Sequence, residues 1–240
     1  MHDWDESTDL FAHSVIGYAI ERLRLPKDPR WGAQPADVLR DTFARTITER
    51  GLGAHEAMRI TREVMIPSCR PMDDPMNLAY VPTAPTVAAT MFDLVVSASS
   101  IFGGNWEAGA GAIAAENQVL HWLASLAGLP DGAGGTFVSG GSAANLSALV
   151  AARQRHLDRH GRRGRLAFAA TTEVHASVRA TARVMDVDVV SVPCDDRDRM
   201  TAPALAEALD AHPEFDVFAV AASAGTTNAG AIDKLDEIAD

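Results

Sequence analysis

The sequence predicts an α/β fold in which helices flank a parallel-rich sheet, with a helical arm at the N-terminus. From Thr136 onward, short apolar runs alternate with helical patterns of ten or more residues, as in strand–helix units stacked around a parallel sheet. The first 70 residues show helical periodicity and no strand pattern. We therefore expect a helical arm over 1–70, a proline-stiffened segment over 71–86 and an α/β domain over 87–240.

Composition narrows the class of protein. The 240 residues are 47% apolar, and the net charge is −11. That charge opposes binding to a nucleic-acid backbone. Cys69 and Cys194 lie far apart without a zinc spacing, so no metal site is expected. The acidic N-terminus and the lack of an apolar run of membrane-spanning length predict a cytoplasmic protein without a nucleic-acid or membrane partner.

Five helices are predicted before the alternating region. In the first, Leu10, Val15 and Leu23 share one face, and Pro26 ends the pattern. The later helices likewise stop at glycine or proline. An arm with such apolar faces needs a partner surface, which a second subunit can supply. The predicted helices cover residues 7–25, 35–50, 54–65, 87–101 and 107–128.

The alternating region supplies the predicted sheet. Apolar runs predict strands at 136–139, 165–170, 187–193 and 216–222, and helices are expected at 142–159, 175–185, 201–211 and from Asp233. Ligands of open parallel sheets bind at the carboxyl ends of the strands. The residues that directly follow each strand are therefore the candidate site residues.

The segment Ser139-Gly140-Gly141-Ser142 predicts an anion site between a strand and a helix. The two glycines allow a sharp turn and leave no Cβ in the way of a ligand, while Ser142 is the expected N-cap. Free amide donors and the positive helix end together favour phosphate. A glycine turn that joins two elements and binds nothing is the alternative.

Two further segments after strands carry polar side chains. His175 lies between a strand end and a helix start, where its ring could lie flat against a planar cofactor; as alternatives it caps the helix or lies at the surface. Thr226 and Thr227 follow Gly225 in a predicted turn. Their hydroxyls can face a ligand, or they can close the turn on itself.

Three motifs follow one another along the chain: Ser139-Gly140-Gly141-Ser142-Ala143-Ala144-Asn145-Leu146, Val174-His175-Ala176-Ser177-Val178 and Ala224-Gly225-Thr226-Thr227-Asn228-Ala229-Gly230-Ala231-Ile232-Asp233. In this order and spacing they resemble the group II pyridoxal-phosphate-dependent decarboxylases, the family that includes aromatic-L-amino-acid, histidine and glutamate decarboxylases. Trp106–Pro130 also resembles the helix before the family's glycine loop, and Ala79–Thr83 resembles its substrate-pocket strip. The resemblance covers most of residues 75–240.

The resemblance implies a fold type I architecture like that of pyridoxal-phosphate transferases, in a dimer with the site at the subunit interface. It implies that Gly141 and Ser142 hold the phosphate, that His175 stacks on the pyridine ring and that Thr227 contacts the cofactor. It also implies an amino-acid substrate whose side chain lies against Tyr80, Pro82 and Thr83. The activity implied is a carbon–carbon lyase step, in which the cofactor serves as the electron sink.

Some family features have no match in these 240 residues. The aspartate that holds the pyridine nitrogen and the Schiff-base lysine are expected further along the chain in the family. The chain has two lysines, Lys27 and Lys234, and both are predicted to be solvated surface charges. We expect this chain to be the N-terminal part of a longer protein, without the C-terminal part of the fold. No catalytic residue is assigned, and the 240 residues alone are expected to be inactive.

Substrate and function therefore stay open at this point. Asp74-Pro75 stands where the family commonly has His-Pro, and Asn77, Leu78 and Val81 occupy places that are often aromatic, which weakens the case for an aromatic substrate. Three functions remain: an amino-acid decarboxylase, another fold type I enzyme such as a transaminase or lyase, and a non-catalytic half-domain that binds a phosphate ligand or pairs with another subunit.

Overall fold

A computed structural model describes residues 4–24, 28, 30–81 and 83–239 of the chain. These residues form two compact units, Met1–Ala114 and Ala115–Asp240. The three-part division expected from the sequence, with boundaries near residues 70 and 86, stays a prediction. Lys27 and Pro82 lie outside the described residues.

The first unit is helical, as the apolar periodicity predicted. Helix α2 is shorter than the predicted 35–50 because Thr46 turns back on the helix end: its amide and its hydroxyl both donate to the carbonyl oxygen of Phe43, at 3.1 and 2.8 Å. The helices are α1 (Glu6–Arg24), α2 (Ala36–Phe43), α3 (Ala54–Ile60), α4 (Val87–Ala98) and α5 (Trp106–Leu126), the last of which continues into the second unit.

Two helices of this unit depart from regular α geometry. After α3 the chain continues as a π-helical turn over Thr61–Met65, closed by a hydrogen bond from the Ile66 amide to the Thr61 carbonyl oxygen at 2.9 Å. In α5, Gly109 has non-helical backbone angles (φ −130°, ψ 26°), so the helix is kinked within its first turns. Both predicted helices, 54–65 and 107–128, are present with these irregularities.

The second unit contains the predicted parallel sheet, with three strands in the described residues where the sequence predicted four. Strand β1 lies in the centre, so the order is β2-β1-β3. The strands are β1 (Arg165–Thr171), β2 (Asp188–Val192) and β3 (Phe215–Ala221), and the helices are α6 (Gly141–His160), α7 (Ala176–Met185), α8 (Ala202–Asp210) and α9 (Leu235–Ala239).

The strand predicted at 136–139 is wrong. Residues 133–138 have no regular secondary structure, and no strand in the described part of the chain pairs with them. The Phe137 amide instead donates to Oε1 of Glu116 in α5, at 3.4 Å. A strand needs a neighbour for its backbone hydrogen bonds, and an apolar run by itself does not supply one.

Helices cover the sheet on both faces, because alternate residues of β1 point to opposite sides. Phe168 and Ala170 pack against α6 and α7, whereas Ala167 and Ala169 pack against β2 and α8. All four residues are fully buried. This layered arrangement confirms the predicted α/β class. Within the described ranges, no helix has both the length and the apolar character needed to cross a bilayer.

Candidate functional site

The candidate site lies in the second unit, at the carboxyl edge of the sheet. Strand β1 ends at Thr171 and is followed by His175, and β3 ends at Ala221 and is followed by Thr226 and Thr227. Because the three strands are parallel and adjacent, the segments that follow them lie along one edge. Helix α6 starts near this edge, since Asn145 in its second turn bonds to Ser177 after β1.

The tip of α6 retains free backbone donors. The helix begins at Gly141 with Gly140 as N-cap, and no side chain caps it, so the prediction of Ser142 as N-cap is wrong. The first amide that bonds within the helix is that of Ala144, which donates to the Gly140 carbonyl oxygen at 3.1 Å. The amides of Gly141, Ser142 and Ala143 therefore have no intrahelical acceptor.

The space around Gly141 and Ser142 is open. A Cβ at Gly141 has no heavy atom within 4 Å outside its own chain neighbours and helix backbone, and Ser142 is exposed. Its hydroxyl makes no hydrogen bond to another described residue. An uncapped helix tip with open space before it suits an anion.

His175 is the N-cap of α7. Its Nδ1 accepts a hydrogen bond from the Ser177 amide at 3.1 Å and lies 2.8 Å from Oγ of Ser177. Ser177 is buried, and its Oγ also accepts from Nδ2 of Asn145 at 2.8 Å. The capping role named as an alternative for this histidine is therefore present, and the exposed ring still lines the carboxyl edge.

A cavity of about 290 Å³ lies beside this ring. Its walls are largely apolar side chains from α6, α7 and the end of β3, with polar groups from Asn145, His175 and Ser223. Apolar walls with a few polar groups are typical of small-molecule sites. Asn145 and Ser177 were quoted within the motifs, but the sequence did not indicate that they act on His175.

The two threonines after β3 have different environments. Thr226 is buried and closes the loop, since its amide donates to the Ala231 carbonyl oxygen at 2.9 Å and its Oγ1 accepts from the Ala231 amide at 3.1 Å. Thr227 is exposed and makes no hydrogen bond to another described residue. Of the pair, Thr227 thus has the hydroxyl that is available to a ligand.

Asp233 shapes the same edge, and sequence reasoning missed its role. Predicted only as the start of the last helix, it is buried and accepts from the amides of Met200 and Ser223, both at 2.6 Å. One carboxylate thus joins the segment before α8 to the segment after β3. No local sequence pattern indicates that Asp233 is buried, because its two hydrogen-bond partners belong to other segments of the chain.

Cys194, directly after β2, completes this edge. The thiol is partly buried, and burial is the main cause that raises its pKa, although a hydrogen bond with Thr171 acts in the opposite direction. The raised pKa keeps the thiol protonated at neutral pH, where it is a poor nucleophile.

The predicted substrate-contacting residues belong to the first unit. Tyr80 is exposed with a positive φ of 64°, and the guanidinium of Arg70 lies 5.9 Å from its ring centre. Thr83 lines a mainly apolar cavity of about 550 Å³ together with Tyr18 and Met72. Pro82 falls outside the described residues. Lys234, in the second unit, is partly exposed, with Nζ 3.5 Å from Oε1 of Glu237.

The layered sheet defines an α/β protein with an uncapped helix tip at the carboxyl edge of the sheet. The chain belongs to the group II pyridoxal-phosphate-dependent decarboxylases: the model of the pyridoxal-dependent decarboxylase conserved domain matches residues 38–240. It is 34% identical over 210 residues to an aromatic-L-amino-acid decarboxylase of Bacillus atrophaeus, covering 85% of this chain and 43% of the relative.

Other relatives agree on the family and on the fold. An L-2,4-diaminobutyrate decarboxylase of Rhizobium meliloti is 36% identical over 173 residues, covering 69% of this chain and 34% of the relative. The crystal structure of tryptophan decarboxylase from Catharanthus roseus in complex with L-tryptophan superposes with a TM-score of 0.85 at 20% identity. That match covers 99% of this chain and 53% of the solved one, and the similarity shows the fold.

The chain therefore spans about half the length of the relatives it matches, or less. The family depends on pyridoxal phosphate, and the described residues fit the phosphate group of this cofactor. The tip of α6 offers three amides without intrahelical acceptors, and open space where Gly141 lacks a Cβ. Gly141 and Ser142 are thus suitably placed to hold a phosphate, with His175 on the same edge.

Proposed function

We propose that the protein decarboxylates an amino acid, cleaving the bond to the α-carboxylate with pyridoxal phosphate as cofactor. The observation that carries this proposal is the uncapped, open tip of α6 on the same sheet edge as His175, in a chain of the decarboxylase family. Bound pyridoxal phosphate supplies an electron sink for the electrons released as carbon dioxide leaves. Relatives that act on both aromatic and basic amino acids leave the side chain open.

Each predicted site residue has a proposed role. The amides of Gly141 and Ser142 and the Ser142 hydroxyl bind the phosphate, because the positive helix end and its free donors stabilise an anion. His175 covers one face of the cofactor ring and excludes water from it. The free hydroxyl of Thr227 donates a hydrogen bond to the cofactor. Tyr80, Pro82 and Thr83 line the substrate side chain.

The 240 residues by themselves are proposed to be inactive. Lys234 is beside Glu237 of the last helix, and Lys27 directly follows Pro26 in the sequence, so neither is assigned the covalent link to the cofactor. We also propose that the complete protein is a cytoplasmic homodimer. Support for the dimer comes from the large apolar side chains that the helical arm leaves exposed, such as Leu10 and Val38.

Substituting Gly141 tests the phosphate site. Gly141→Asp places a carboxylate in the open space before the free amides, so clash and like-charge repulsion should weaken pyridoxal phosphate binding by about 2–4 kcal/mol, or roughly 30- to 700-fold. Gly141→Ala, which adds only a methyl group, should have a smaller effect. Binding to the 240-residue chain is measured by ³¹P NMR titration or calorimetry.

Ala151→Asp is the matched control. It places the same charge on an exposed position of the same helix, about 15 Å further from the tip at 1.5 Å per residue, and should leave the affinity unchanged. Equal affinity of the Gly141→Asp and wild-type chains would remove the phosphate assignment.

The reaction itself is tested on the gene product as its source organism expresses it. Supplied with pyridoxal phosphate and a panel of L-amino acids, it should release carbon dioxide and the matching amine. Formation of a keto acid without carbon dioxide would instead establish transamination. The 240-residue chain in the same assay should produce neither.

A further inference from the structure

The hydrogen bonds behind His175 determine which of its two ring nitrogens carries the proton. We propose that Ser177 and Asn145 are positioning residues that hold His175 with its proton on Nε2, so that the ring presents an N–H donor to the site. The part of this inference that concerns the acceptor, an oxygen of the cofactor or of its amino acid, rests on the proposed function. The tautomer itself does not.

Nδ1 of His175 must be the acceptor nitrogen. The Ser177 amide lies 3.1 Å from it, and a backbone N–H can only donate. A proton on Nδ1 would point at this donor. The neutral ring therefore carries its proton on Nε2.

The side chain of Ser177 extends this directional pattern. Its Oγ is 2.8 Å from Nδ1 and 2.8 Å from Nδ2 of Asn145. The amide nitrogen of Asn145 donates to Oγ, which leaves the hydroxyl hydrogen free to donate to Nδ1. With the asparagine amide reversed, its oxygen would take that hydrogen, and an Oγ lone pair would face a nitrogen that needs a donor.

Nε2 is the part of the ring left for a ligand. It makes no hydrogen bond to another residue in the described part of the chain, and the exposed ring lines the 290 Å³ cavity with Asn145 and Ser223. A fixed donor offers a hydrogen bond to an oxygen without first changing its tautomer. Because Ser177 is buried, water competes little for its hydroxyl.

The tautomer is read by two-bond ¹H–¹⁵N NMR correlation of the histidine-labelled chain without ligand, with the His175 signals assigned from a His175→Gln spectrum. The spectrum is recorded at a pH above which the ring signals no longer change. The expected result is a protonated Nε2 and an unprotonated Nδ1. A protonated Nδ1 in the wild-type chain would overturn the inference, whatever any variant shows.

Asn145→Asp tests the direction of the chain of hydrogen bonds. A carboxylate only accepts hydrogen bonds, so it should accept one from the Ser177 hydroxyl. An Oγ lone pair then faces Nδ1. The Nδ1 resonance should then shift downfield, because an unprotonated ring nitrogen that loses a hydrogen-bond donor becomes less shielded. In a chain that also carries Ser177→Ala the same new charge is present without the hydroxyl, and the shift should be lost.

Asn117→Asp is the control for charge alone, because it makes the same change at an exposed position of α5, and the His175 signals should not move. An equal Nδ1 shift with and without the Ser177 hydroxyl would show a plain charge effect and overturn the positioning role. So would an unchanged Nδ1 signal in Asn145→Asp.

Addition of pyridoxal phosphate separates this inference from the proposed function. Binding that shifts the Nε2 signal supports a ring that faces the ligand. Binding detected by ³¹P NMR with unchanged His175 signals would overturn the assignment of the Nε2 donor to the ligand. Absence of any binding would count against the proposed function and leave the tautomer result as measured.

Discussion

At the scale of single residues, Asp216 is a buried carboxylate that lies outside the candidate site and contacts three parts of the second unit. This buried carboxylate lies near the start of β3, at the end of the sheet opposite the site. Its Oδ1 is 2.8 Å from Nε2 of His156, and its Oδ2 accepts from the Arg163 amide at 2.8 Å. One side chain thus joins the end of α6, the following loop and the sheet.

Removing this carboxylate should destabilise the second unit. Asp216→Ala leaves the Arg163 amide and His156 without their acceptor in a partly buried place, so the free energy of unfolding should fall by about 1–3 kcal/mol. Urea unfolding followed by circular dichroism measures it. Asp131→Ala, at an exposed loop position, is the control and should change stability little. Equal midpoints for both variants would contradict this role.

The contribution of Asp216 should also depend on pH. The hydrogen bond from the Arg163 amide is the main cause that lowers its pKa, with a smaller effect of His156, and burial opposes both. A lowered folded-state pKa means that the stabilisation is present above the unfolded value of about 3.9 and is lost as the pH falls through the folded value. The stability difference between wild type and Asp216→Asn should therefore shrink as the pH falls below about 4.

At the scale of elements, helix α5 shows how one glycine sets a kink. Gly109 is buried, and a Cβ built there meets the carbonyl oxygen of Phe102 well inside van der Waals contact. The close approach of the 102–103 backbone is possible only because this position has no side chain. The kink in α5 therefore has a steric cause.

Two glycines of α5 allow a matched test. Gly109→Ala should lower the free energy of unfolding by about 1–3 kcal/mol, because a backbone atom has to move. Gly111→Ala adds its methyl group to open space in the same helix and should raise that free energy by about 0.5–1 kcal/mol. Thermal and urea unfolding measure both. A stabilising Gly109→Ala would mean that the segment around Phe102 can move away.

At the scale of the whole molecule, net charge is the dominant property. The net charge is −11 at pH 7, and the pI is near 5.1. Many large apolar side chains are exposed, including Trp106, Trp122 and Phe137. Mutual repulsion between like-charged chains opposes association through these apolar surfaces. Net charge therefore opposes non-specific aggregation at neutral pH.

Solubility should accordingly pass through a minimum near pH 5.1. As the net charge approaches zero, repulsion vanishes and the exposed apolar groups associate. Light scattering of the chain between about pH 4 and 8 measures this, with the reversibility of the turbidity on return to neutral pH as the check against unfolding. A minimum near pH 7 would indicate that a charge-independent contact controls association.

Much of the architecture was predictable from local patterns, and the failures share one cause. Apolar periodicity located the helices and three strands of the parallel sheet. The rule that ligands bind after strands selected His175 and Thr227, whose roles stay predictions. The strand at 136–139 and the capping role of Ser142 were wrong. A strand requires a neighbouring strand, and an N-cap requires a non-helical backbone conformation and a side-chain hydrogen bond. A short stretch of sequence specifies none of these.

What the sequence by itself determined is the class of fold, the order of its elements and the family, because these depend on short-range periodicity and on motifs of consecutive residues. Only the tertiary structure decided that Asp233 ties two loops together, that Thr226 closes its own turn and that Asn145 acts through Ser177 on His175. These three roles depend on hydrogen bonds between residues that are not adjacent in the sequence. Such a bond exists only where folding brings donor and acceptor within about 3 Å.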